Sequence, residues 1–185
     1  FNFPVAVWSW NTTLALVCGN SVVWKPSEKT PLTALACQAI LNEALKDFGD
    51  DAPAGLSQIL LGRADIGNLM VEDSRFPIIS ATGSCSMGKI VAPKIAARMA
   101  RSILELGGNN AMTICPTADL AMATLATVFG AVGTAGQRCT TTRRLFIHDS
   151  VYEEFVGGLK RVFASVKIGN PLETSTLVGP LIDQQ

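Results

Sequence analysis

The sequence predicts an α/β protein built around a parallel sheet. Three observations carry this expectation: strand-like and helix-like segments alternate along the whole chain, three strand-like runs end in glycine, and aliphatic residues dominate the apolar content. Alternation of that kind marks successive βαβ units. Hydrophobic residues make up 48% of the chain and aromatic ones only 6%, so Ala, Val, Leu and Ile must fill the core. Such a composition excludes a disordered or fibrous protein. At 185 residues the chain is long enough for one large domain or two small lobes with a real core.

Each element follows from local pattern. Asn20–Pro26 (NSVVWKP) is a β-branched run closed by Pro26 and reads as the first strand. A helix follows over EKTPLTALACQAILNEAL, with Thr30 as N-cap and Pro31 at the first helical position. Its residues Leu32, Leu35, Ala36, Ala39 and Ile40 share one face, expected to meet the core. Leu56–Gly62 reads as the next strand, ADIGNLMVED as a short helix, and Phe76–Gly83 as a strand running into glycine. Behind it MGKIVAPKIAARMA is helical, with Pro93 expected to kink the helix or delay its start. Arg101–Gly108 is a further strand ending in two glycines. Leu120–Val132 and Val151–Val166 read as helices, with RRLFIH as a strand between them. The change of character at Gly107-Gly108 suggests a lobe boundary, dividing the chain into residues 1–107 and 108–185.

Lys and Arg together number 15, as do Asp and Glu, so the net charge is zero. That balance argues against nucleic acid or an acidic membrane surface as the main partner. No charge precedes Lys25, but this opening stretch lacks a basic leader and is interrupted by Asn2, Pro4, Asn11, Gly19 and Asn20. It reads as buried structure, not as a signal peptide or membrane span. A chain that opens on FNFP without Met reads as a central piece of something longer. The cysteines at 18, 37, 85, 115 and 139 are odd in number and dispersed, and His148 is the single histidine. No disulfide framework or metal site is expected from them, and a reducing, cytoplasmic setting is the simpler home.

Four stretches carry chemistry. In SATGSCSMGK, Gly83 suits a tight turn, Ser84 to Met87 can present N–H groups at a helix start, and Gly88 permits close helix–sheet packing. A helix N-terminus is a natural pyrophosphate site, although an ordinary βα turn explains the stretch equally well. In WKPSE, Lys25 and Glu28 lie just past the carboxyl end of a strand, where open α/β sheets bind ligands. They can hold ribose hydroxyls, with Glu28 repelling a 2′-phosphate and so favouring NAD; taken alone, a solvated salt bridge explains them better. In LELGG, Glu105 stands between Leu104 and Leu106, a setting expected to raise its pKa and suit a general base, while a surface carboxylate or an ion pair is the plainer reading. Gly107-Gly108 suggests close backbone approach by a ligand or another chain segment. Lastly, in GTAGQRCTTTRR, Cys139 lies among small polar residues with Arg138 and Arg143 close by, whereas the other four cysteines have apolar or packed-looking neighbours. A nucleophilic thiol needs such access and positive charge; inert packing is the commoner fate of a lone cysteine.

FNFP, KPSE, TGS, ELGG and GQRC occur in an order and approximate spacing that resembles the aldehyde dehydrogenase superfamily, and the interval from Glu105 to Cys139 is the usual one there. FNFPVAV, LELGGNNA and AVGTAGQRCTTTRRLFIH are similar to its antiquitin branch, the α-aminoadipic semialdehyde dehydrogenases. The resemblance covers essentially the whole chain. It implies part of a Rossmann-like NAD-binding domain (1–107) followed by the start of an α/β catalytic domain (108–185), and, in the complete protein, a homotetramer.

The resemblance also implies residue roles. Cys139 would attack the aldehyde carbon, with the Asn2 amide and the Cys139 N–H holding the oxyanion of a thiohemiacetal. Loss of hydride to NAD would leave a thioester, and Glu105 would deprotonate the water that hydrolyses it. Lys25, Glu28, Gly83, Ser84 and Gly88 would contact the cofactor, with Phe1, Gly67 and Leu106 near it. Arg138 would pair with a substrate carboxylate, beside Thr140. Cys85 stands where the family commonly has Thr, a small change with little expected consequence. Asn2, second in the chain, is expected to fray. A Cys-dependent hydrolase would need a basic partner for Cys139, and His148 is expected at a strand end, facing away. A truncated binding fragment without activity is the third reading.

Overall fold

Six strands pair as three parallel couples in the computed structural model, which describes residues 1–184. By proximity they fall into two units, one holding Phe1 and Phe3–Leu106, the other Asn2 and the chain from Gly107.

The first unit begins with α1 (Ala6–Val17), a helix in a stretch for which the pattern named no element. The expectation that the stretch is buried needs correction. Thr12 is buried and the Trp8 ring stacks on Trp24 at 5.1 Å, but Trp10, Leu14 and Val17 are exposed. Strand β1 (Val22–Trp24) pairs in parallel with β2 (Ser57–Ile59), and α2 (Pro31–Lys46) connects them. Thr30 is the N-cap residue and Pro31 opens the helix as expected, although the Thr30 side chain makes no capping bond.

The buried stripe of α2 is not the one its leucines suggest. Ala34, Cys37 and Gln38 are buried, while Leu32, Leu35 and Ile40 are exposed. Small Ala34 and Cys37 suit a closely packed face. Gln38 belongs there because its amide is fully matched: Nε2 donates to the Ser57 carbonyl (3.2 Å) and Oε1 accepts the Ser57 hydroxyl (3.1 Å). A buried amide satisfied on both ends carries little desolvation penalty.

Helix α3 (Ala64–Glu72) leads into β3 (Ile78–Thr82) through a turn closed by Arg75. Its guanidinium grips the Asp73 carboxylate (2.6 Å), and these hydrogen bonds hold that carboxyl down at about 2. Strand β3 pairs in parallel with β4 (Arg101–Glu105) along its full length, and α4 (Cys85–Ala97) is the crossover. Val71, Ile79, Val91 and Ile95 form the core between these elements. Pro93 neither breaks nor delays α4. The carbonyl it deprives of a donor is that of Lys89, and both residues are exposed, so water can satisfy it.

In the second unit β5 (Asn110–Ile114) pairs in parallel with β6 (Thr142–Ile147). Nothing in the pattern of NAMTI marked β5, which its ladder with β6 defines. Helices α5 (Leu120–Val132) and α6 (Tyr152–Ser165) pack over a core of Ile114, Val128, Phe155 and Leu159. Asp119 caps α5 by accepting the Met122 N–H at 3.0 Å.

Past α5 the chain enters a 3-10 turn with three consecutive positive φ values: Thr134 (55°), Ala135 (53°) and Gly136 (71°). A β-branched residue there is strained, while glycine is at ease. A Cβ on Gly136 would also lie 3.1 Å from the Ala131 carbonyl oxygen. Gly136→Ala is therefore expected to destabilise the fold by roughly 1 kcal/mol or more, measured by denaturant unfolding.

Candidate active site

The carboxyl ends of β3 and β4 finish side by side. Thr82 pairs with Glu105, and the Gly83 N–H extends the ladder by donating to the Glu105 carbonyl at 2.9 Å. Gly83 is the bend between strand and helix. Ser84 is the N-cap of α4, its hydroxyl accepting the Met87 N–H at 3.1 Å. Gly88 is buried one turn into α4, where a Cβ would run into the Leu106 side chain. The structure thus brings Gly83, Ser84, Gly88, Glu105 and Leu106 together. An open strand end facing a capped helix N-terminus, with glycines where side chains would intrude, fits a dinucleotide pyrophosphate. Glu105 is exposed in this chain, so the apolar enclosure expected around its carboxylate is absent from the described residues. Alternation along β4 is the reason: its flanking leucines are no guide to what surrounds the carboxylate itself.

A second group forms beyond β1. Lys25 Nζ donates to the carbonyls of Pro26 (2.8 Å) and Gly62 (3.0 Å) and lies 3.9 Å from Glu28 Oε2. Two of its three donors are thus fixed on backbone, and the ammonium is held in place rather than waving in solvent. Gly67 of α3 faces the Lys25 stem, which a Cβ there would contact at 3.5 Å. Lys29 Nζ sits 5.5 Å from the centre of the Phe1 ring.

In the second unit Cys139 is exposed in the turn between the left-handed run and β6, and Arg138 is half-buried beside it. Asn2 does not fray: its Nδ2 donates to the Gln137 carbonyl at 2.6 Å. That bond takes one of the two amide hydrogens. The Arg138 guanidinium lies 5.1 Å from the centre of the Phe129 ring, and its Nε donates to the Thr134 hydroxyl at 2.8 Å. Thr140 is exposed next to Cys139. Asn2 is thus held at the short segment that carries Arg138, Cys139 and Thr140, whereas Glu105 belongs to the other unit.

Of the other cysteines only Cys37 is buried; Cys18, Cys85 and Cys115 are exposed, so their apolar sequence neighbours misled. His148 Nδ1 accepts the Ser150 N–H at 3.2 Å, capping the short turn after β6. Two residues that hydrogen-bond to the Cys139 turn escaped the sequence reading, Asn110 of β5 and Thr141. Their only signals were the second Asn of GGNN and the middle of a Thr run.

The strand–glycine–helix junction with a Glu at the neighbouring strand end thus lies in one unit of this α/β chain, and the exposed Cys on its pinned turn in the other. The chain belongs to the aldehyde dehydrogenase family, whose model matches residues 1–185. It is 50% identical over 187 residues to a Caenorhabditis elegans homolog of aldehyde dehydrogenase family 7 member A1, covering all of this chain and 35% of that protein. It is 45% identical to the Bos taurus α-aminoadipic semialdehyde dehydrogenase, covering all of this chain and 34% of that protein. A Pseudomonas syringae aldehyde dehydrogenase C variant, solved with NAD+ and octanal, superposes with a TM-score of 0.91 at 28% identity, over 99% of this chain and 37% of its own. The chain therefore spans about a third of the length of the curated relatives it matches.

Proposed function

We propose that the protein containing this chain is an NAD-dependent dehydrogenase that oxidises a carboxylated semialdehyde of the α-aminoadipic type to the acid. The observation that carries the reading is the Cys139 turn: an exposed thiol whose own N–H has no acceptor among the described residues, with the Asn2 amide anchored on the Gln137 carbonyl.

Residues 1–107 form the cofactor-binding part and residues 108–185 the beginning of the catalytic part. Gly83, Ser84 and Gly88 receive the pyrophosphate at the start of α4, and Lys25 and Glu28 the ribose, with Phe1, Gly67 and Leu106 around them. A bound nicotinamide dinucleotide supplies the hydride acceptor. Cys139 adds to the aldehyde carbon, and the oxyanion of the thiohemiacetal takes hydrogen bonds from Asn2 Nδ2 and the Cys139 N–H. Once that carbon has lost its hydride the product is a thioester. Glu105 removes a proton from water, which attacks the thioester and frees the acid and the thiol. Arg138, oriented by Thr134 and Phe129, offers its guanidinium to the substrate carboxylate, with Thr140 alongside. The five cysteines, odd in number and dispersed along the sequence, favour a reducing, cytoplasmic setting. No helix among the described residues is long and apolar enough to cross a membrane.

In the complete enzyme Cys139→Ala should abolish aldehyde-dependent NADH formation, and Glu105→Gln should leave a rapid first turnover but slow later ones about 100-fold or more. Retained steady-state turnover without Cys139 sinks the mechanism. Arg138→Ala should raise KM for a carboxylated semialdehyde about 10- to 100-fold and leave KM for an uncharged aliphatic aldehyde nearly unchanged; equal losses on both would remove its anchoring role. Glu28→Ala should narrow the preference for NAD over NADP, read as a kcat/KM ratio, by about 10-fold through relief of charge repulsion.

A further inference from the structure

Two side chains with no part in the chemistry so far hold the Cys139 turn. The Thr141 N–H donates to the Arg138 carbonyl at 3.3 Å, closing the turn. The Thr141 hydroxyl accepts the Arg138 N–H (3.0 Å) and donates to the Gly136 carbonyl (2.9 Å), and Thr141 is buried. From the start of β5, Asn110 Nδ2 donates to the Cys139 carbonyl (2.7 Å) and to the Thr141 carbonyl (3.1 Å). Gly108 makes room for this: a Cβ there would lie 2.7 Å from Asn110 Oδ1 and 3.1 Å from the Cys139 carbonyl oxygen. The close approach that Gly107-Gly108 suggested is thus made by another chain segment.

A trans peptide is planar, so holding its carbonyl also sets the direction of its N–H. The Arg138 carbonyl and the Cys139 N–H share one plane, which the Thr141 N–H holds. The Cys139 carbonyl lies in the next plane, which Asn110 holds. The plane before them carries the Gln137 carbonyl, held by Asn2, and the Arg138 N–H, held by the Thr141 hydroxyl. Both soft dihedrals of Cys139 are therefore pinned from outside, and its N–H is left without an acceptor among the described residues.

Resting on Cys139 as the nucleophile, we propose that Asn110 and Thr141 are positioning residues for aldehyde oxidation: they lock the peptide planes on either side of Cys139 and aim its N–H at the developing oxyanion. A misplacement of about 1 Å at such a donor can lower the rate on the order of 100-fold.

The test uses the complete enzyme carrying Asn110→Ala or Thr141→Val. Each is expected to lower kcat for aldehyde oxidation about 100-fold. NAD affinity by fluorescence titration and the rate of Cys139 alkylation by iodoacetamide, which needs no oxyanion donor, should stay within about 2-fold by the same argument. Thr141→Ser, which keeps the hydroxyl, should recover most of the lost rate. Aldehyde turnover close to wild type in both variants overturns the proposal. A fall in turnover matched by falls in alkylation and NAD affinity also overturns it, because that marks general collapse of the loop. If wild-type enzyme alkylated at Cys139 keeps its turnover, the nucleophile assignment fails by itself, whatever the two variants do.

Discussion

Helix α5 ends at Val132, and the chain then passes through Thr134, Ala135 and Gly136 at positive φ before reaching Cys139. Two of these residues are poorly suited to that conformation, each at a cost of order 1–3 kcal/mol. Hydrogen bonds hold them there. The Thr134 hydroxyl accepts from Arg138 Nε, its carbonyl accepts the Gln137 N–H at 2.9 Å, and the Gly136 carbonyl accepts from Thr141. The reversal lets a helix deliver an exposed thiol into a turn instead of burying it in a continuing apolar face. Arg138 is tied back to this reversal through Thr134, and the Cys139 turn through the Thr141 hydroxyl on Gly136.

The cofactor side depends on a different constraint, the shared end of two parallel strands. Because β3 and β4 stop in register, Gly83 and Glu105 are joined through backbone, and α4 starts at the same edge. Close packing of Gly88 against Leu106 sets how near the helix can approach the sheet. On this reading one short region both receives an anion and presents a carboxylate. Lys25, with two donors committed to carbonyls, is a rigid neighbour in its own cluster.

Much of this was legible in the sequence, and the exceptions have physical reasons. Gly83, Ser84 and Gly88 stood out because turn, cap and close packing each demand particular small residues. Cys139 stood out because its neighbours are polar. Helix α1 and strand β5 were missed, the first because its apolar residues show no clear stripe, the second because NAMTI is short and defined by its partner. In α2 the leucines pointed to one stripe, but the helix buries Ala34, Cys37 and Gln38, with Gln38 satisfied by Ser57. The environment of Glu105 was also misjudged, since neighbours in a strand point to the opposite face.

By itself the sequence determined the α/β class, the strand–glycine–helix junction and the residue types able to hold a dinucleotide or attack a carbonyl. These rest on local chemistry: which residues tolerate a turn, cap a helix or act as nucleophiles. Only the tertiary structure decided that Asn2 is anchored on Gln137, that Arg138 lies against Phe129, and that Asn110 and Thr141 brace the Cys139 turn. Hydrogen bonds between residues far apart in the chain leave no periodicity behind. An asparagine or threonine reads the same in sequence whether it faces water or fixes the peptide beside a nucleophile.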